Sequence, residues 1–66
     1  MMYVYYLQDI PNTMLMAVRN IVKKGDKALV YITGSEDIWE EIRNMIVGSE
    51  VQVVFFKDGE KLERVI

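Results

Sequence analysis

Among its 66 residues the chain has no cysteine and no histidine. The first absence removes disulfides, thiolate metal sites and thiol chemistry. The second removes the usual general base near neutral pH and the commonest metal ligand. No apolar run approaches the ~20 residues of a membrane span. Met1 and Met2 lead into Tyr-Val-Tyr-Tyr-Leu, without the basic start of a secretory signal. There is no excess of positive charge either: eight basic against ten acidic residues give a net charge of −2, which argues against nucleic-acid binding. The expectation is a cytoplasmic domain without cofactor, metal or membrane partner.

Apolar residues make up 52% of the chain and charged ones 27%, a globular balance. A domain this short buries only about 60% of the surface its unfolded chain exposes. Without disulfides it depends on packing, and a second copy of the chain is one way to add packing. Proline occurs once and glycine four times, so these residues punctuate the chain.

The organising stretch is Asp9 to Asp26. Met14, Leu15, Val18, Ile21 and Val22 line one face of a helix. Pro11 suits a first turn, whose N–H groups have no partner, and Asn12 can cap. Lys23, Lys24 and Gly25 mark the end. Tyr3 to Leu7 before it and Lys27 to Thr33 after it read as strands. A second helix carries Ile38, Trp39, Ile42, Met45 and Ile46 on a stripe of the same pitch. Thr33 or Ser35 can cap it, Glu36 and Asp37 place negative charge in its first turn, and Gly48 ends it. Val51 to Phe56 is a third strand. Asp58-Gly59 is a two-residue hairpin signal, leading to a fourth strand from Lys61 to Ile66. Pairing across that turn sets Val53 opposite Arg64, a charge on a face otherwise read as buried. The order β-α-β-α-β-β predicts an α+β fold, a two-layer sandwich with two helices on one face of a four-stranded mixed sheet.

Such a fold leaves one sheet face without cover. With Val4, Ala28, Val30 and Ile32 turned to the helices, Tyr3, Tyr5, Leu29 and Tyr31 turn away, joined by Val54 and Phe56. This aromatic face is the candidate surface for a protein partner or a homodimer. Met16, on the solvent side of the first helix, is a further candidate contact. The helix start at Pro11, Asn12 and Thr13 offers free N–H groups to an anion. Glu36, Asp37, Glu40 and Glu41 cluster at the second helix, where the helix dipole accounts for the first two without a metal. Trp39 is read as core.

Ile10-Pro11-Asn12-Thr13, then Met14 to Arg19, then Lys24-Gly25-Asp26, resembles the TusA/SirA/YedF family of small sulfur carriers. Members of that family have a Cys-Pro-x-Pro turn, an amphipathic run and a Gly-acidic step into the second strand. Ser35 to Trp39 corresponds loosely to the family's acidic-Pro entry to its second helix. Ile10 stands where the family has its sulfur-accepting cysteine, and Thr13 where it has its second proline. The resemblance therefore implies the family fold without the sulfur-carrying atom, and a role as a relay accessory that acts with family partners. The C-terminal domain of the third bacterial initiation factor and archaeal Alba share the element order. Both need basic surfaces, so that likeness stops at the order of elements. The expected function is non-catalytic: protein binding or self-association.

Overall fold

The computed structural model describes residues 1–57. Five elements follow in order: β1 (Tyr3–Leu7), α1 (Pro11–Lys24), β2 (Ala28–Gly34), α2 (Asp37–Ile46) and β3 (Val51–Lys57).

Local chemistry sets each boundary. Ile10 precedes a proline and is held extended (φ −63°, ψ 151°). Its carbonyl accepts the Met14 N–H at 3.1 Å, which begins α1. The cap is thus Ile10, and Asn12 lies inside the first turn instead of capping it. At the other end Gly25 adopts φ 75° and its N–H donates to the Val22 carbonyl at 3.0 Å. That left-handed step is costly for any residue with a Cβ.

Neither Thr33 nor Ser35 caps α2. β2 runs through Gly34, and Glu36 is already helical (φ −63°, ψ −25°), a conformation in which no side-chain cap forms. The Trp39 N–H donates to the Glu36 carbonyl at 3.1 Å, a tight opening turn. After α2, Ser49 turns the chain into β3. Its hydroxyl donates to the Ile46 carbonyl at 2.6 Å and accepts the Val51 N–H at 3.2 Å.

The sheet has the order β1-β2-β3, and both pairings are parallel. The expected four-stranded mixed sheet is therefore corrected: among the described residues the sheet has three strands, all parallel. Each strand returns to the same end of the sheet through a helix, so parallel pairing follows. The mixed character depended on the Asp58-Gly59 hairpin and the Lys61 to Ile66 strand. These, with the pairing of Val53 and Arg64, lie outside the described residues.

Two successive crossovers in one strand direction carry both helices to one face. The helical stripes meet that face as their spacing predicts. Met14, Val18 and Ile21 of α1 and Ile38, Trp39, Ile42 and Ile46 of α2 are buried against Ala28, Val30, Ile32, Val51, Val53 and Phe55. Leu15, Val22 and Met45 pack on the margin of this core. Trp39 lies against Phe55 with ring centroids 4.9 Å apart and planes tilted by 34°. No helix among the described residues is long and apolar enough to cross a membrane.

Candidate functional site

The register decides what the open face carries. Tyr3 is level with Ala28, Tyr5 with Val30 and Leu7 with Ile32. Laterally paired residues of neighbouring strands share a face. Tyr3 and Tyr5 therefore lie on the helix side, and Tyr5 and Leu7 pack on the core. Val4 and Tyr6 take the open face. This reverses the face assignment expected for β1. The reason is that Tyr3 to Leu7 holds no polar residue at alternate positions, so nothing in the strand marks its outer side. The bond that fixes it is long-range: the Tyr3 N–H donates to the Lys27 carbonyl at 3.0 Å.

The other expected members hold their places. β2 contributes Leu29, Tyr31 and Thr33 to the open face, and β3 contributes Gln52, Val54 and Phe56. Tyr6, Tyr31 and Phe56 form a row across all three strands. Tyr6 and Tyr31 stack with centroids 5.0 Å apart and planes 9° apart. Tyr31 and Phe56 follow at 6.1 Å and 28°. Tyr6 was missed by sequence reasoning; its only signal was being one step from Tyr5. Exposure falls along the surface from Tyr6 at 78% to Val54 at 8%.

Not one residue that β1, β2 and β3 send to this face is charged. At the carboxyl ends of the strands it opens into a depression of about 710 Å³, lined by Tyr6, Leu7, Gln8, Tyr31, Thr33 and Phe56. The lining offers ring faces, hydroxyls and one carboxamide. It can stack on and hydrogen-bond to a flat or amphipathic group, but carries no carboxylate or amine to move a proton. Open α/β sheets place ligands where the strand order reverses. Among the described residues the order β1-β2-β3 has no such reversal.

The helix start at Pro11, Asn12 and Thr13 is exposed. Pro11 has no N–H, and Asp9 Oδ1 accepts the Ile10 N–H at 2.7 Å. A carboxylate already sits where an anion would be drawn, and opposes one. Ile10, at the position of the sulfur carriers' cysteine, is 64% exposed and offers only hydrocarbon. Met16 is 61% exposed, but on α1, across the sheet from the stacked row. It cannot share one contact surface with Tyr31.

Two of the carboxylates clustered at the start of α2 are engaged by cations. Glu36 Oε1 accepts from Lys57 Nζ at 2.8 Å, and Glu40 lies 3.7 Å from the Arg43 guanidinium. No three acidic groups converge as a metal site among the described residues.

No family model, curated protein or solved structure matches the chain.

Proposed function

We propose that this domain is a non-catalytic binding module that docks a protein partner on its open sheet face. One observation carries the reading. Wholly parallel sheets occur almost only with both faces covered, and among the described residues the face away from the helices is a charge-free row of stacked rings. Apolar and aromatic surface of this kind, depleted of charge, is the composition found at the centre of protein interfaces. The net charge of −2 favours a protein over a nucleic acid as the occupant. A cytoplasmic setting belongs to the same reading and is supported by the lack of cysteine.

A photo-crosslinking residue placed at position 31 tests this inside the producing cell, with the same residue at position 20 of α1 as control. Adducts of defined mass at position 31 and none at position 20 are expected. Equal labelling at both positions, or none at 31, overturns the reading.

A second reading is a sulfur-relay accessory role alongside TusA-like partners. Pro11 at the first residue of α1 supports it, since this matches the position of the proline in the family's turn. Neither reading places sulfur on this chain, so mixing it with a TusA-like carrier and its sulfurtransferase separates the two: a stoichiometric complex by size-exclusion chromatography favours the relay role, and separate elution leaves the docking of another protein.

A further inference from the structure

Among the described residues the outer edge of β1 is as unprotected as the open face, but what it offers is backbone instead of side chains. Successive residues of a strand turn their N–H and C=O to opposite edges. Tyr3 directs its N–H to Lys27, beside β2. Tyr5 and Leu7 follow it, so Val4 and Tyr6 direct theirs outward. Among the described residues no strand lies on that side.

Sheet edges are normally protected by a charge, a proline or a bulge. Tyr-Val-Tyr-Tyr-Leu contains no charge and no proline, and its register with β2 is unbroken from Tyr3 to Leu7. The side chains along it are open as well: Tyr3 is 44% exposed, Val4 49% and Tyr6 78%.

We propose that β1 pairs antiparallel with β1 of a second copy about a two-fold axis through Tyr5. In that register each Val4 lies opposite Tyr6 of the other copy, and the two exchange both backbone hydrogen bonds. Those are the residues whose polar groups point outward. Val4 against Tyr6 is a β-branched–aromatic pair on the open face, a favourable cross-strand combination. On the helix side Tyr5 meets its own copy, and Tyr3 meets Leu7. No like charges are opposed at any strand position. The strand is thus complementary to itself, which an isologous contact requires. The product is one continuous sheet, β3-β2-β1-β1-β2-β3, with its helices on one side and the two stacked rows joined on the other. The contact uses the β1 edge of each copy and closes about the two-fold axis.

This inference uses the edge and does not depend on what covers the face. Its test is sedimentation equilibrium of the whole chain from about 0.02 to about 1 mM, with amide exchange measured over the same range. The apparent mass is expected to rise from 7.7 kDa towards twice that value. The Val4 and Tyr6 amides should slow about fivefold or more over the range, while the Tyr5 amide, bonded within the monomer, stays slow throughout. Val4→Pro deletes an outward N–H, a change tolerated on an edge strand, and should give a folded monomer. Tyr31→Lys alters the open face alone and should still dimerise.

A monomer at the highest concentration overturns the proposal, as do species larger than a dimer. So do Val4 and Tyr6 amides that exchange freely alongside a protected Tyr5. A dimer that survives Val4→Pro but not Tyr31→Lys shows a face contact instead. If Val4→Pro does not fold, the exchange measurement on the unaltered chain decides.

Discussion

The two faces of the sheet are built from alternate residues of the same three strands, yet differ in kind. The covered face is mainly aliphatic: Ala28, Val30, Ile32, Val51 and Val53 are each at most 5% exposed, and Phe55 is fully enclosed. The open face holds the stacked row of Tyr6, Tyr31 and Phe56. A face meant only for water would carry lysine and glutamate at those positions, as solvated sheet faces do. The helices α1 and α2 do carry such residues on their outer sides, at Arg19, Lys23, Glu40 and Glu41. The chain can make a polar surface and does not make one here. The docking proposal rests on that contrast more than on any single residue.

The largest expected effect tests whether the contrast is energetic. Phe55 and Phe56 are neighbours in sequence and lie on opposite faces. Phe55→Ala removes a ring that is 0% exposed and packed on Trp39, at a cost of about 3–5 kcal/mol. A domain this small holds only about 5 kcal/mol in total, so the variant should keep only about 0–2 kcal/mol and its urea midpoint, followed by circular dichroism, should fall steeply. Phe56→Ala removes one ring contact at 6.1 Å and should cost about 1 kcal/mol in the isolated protein. Equal losses at the two positions would show that the open face is already covered in solution.

A smaller effect tests the register of β1. Tyr5→Ala withdraws a ring that packs on the core and should lower stability by about 2 kcal/mol. Tyr6→Ala withdraws one that is 78% exposed and should cost under about 1 kcal/mol. Urea titrations of the two variants give the order directly. If Tyr6 proves the costlier loss, β1 is turned over and the two faces have exchanged their tyrosines.

These pairs also show where the sequence was legible. Both helical stripes could be read because charged and polar residues separate their apolar positions, so the period is visible. β2 and β3 could be placed as strands because each is a short, nearly continuous apolar run, and Thr33 and Gln52 mark the side opposite Ile32 and Val51. Tyr3 to Leu7 has no such contrast: tyrosine suits either face, and a one-residue shift leaves the pattern looking the same. What decided it was the contact with Lys27, which sequence spacing does not reveal. The cap of α2 was misplaced for a related reason. Thr33 and Ser35 are both good caps, but β2 extends through Gly34 and the chain enters the helix only at Glu36.

The turn at Gly25 tests how the covered face is assembled, because it brings the chain from α1 back to β2. A Cβ placed there meets nothing within 4 Å, but the backbone sits at φ 75°. Gly25→Ala should therefore cost about 1–2 kcal/mol through conformation alone. At Gly34 the situation is reversed. The backbone is ordinary, while an added Cβ would lie 3.0 Å from Ile38 Cδ1 and 3.2 Å from Met14 Cε. Both are ends of flexible side chains that can move aside, so Gly34→Ala should cost less, under about 1 kcal/mol. Thermal melts of the two variants give that order, and a larger loss at Gly34 would mean that the core beneath β2 is too rigid to yield.

The smallest expected effect lies at the rim where the two faces meet. Lys57 Nζ reaches Glu36 Oε1 at 2.8 Å, joining the end of β3 to the start of α2, with both side chains more than a third exposed. Solvent screening holds such a pair to about 0–1 kcal/mol. Lys57→Met keeps the aliphatic stem and removes the charge, so its loss should stay within that range and disappear at ~1 M salt, where the screening length falls to about 3 Å. A loss that survives high salt would assign the contribution to the stem lying over apolar surface. The rim would then belong to the covered layer, and the boundary between the two faces would sit further along β3.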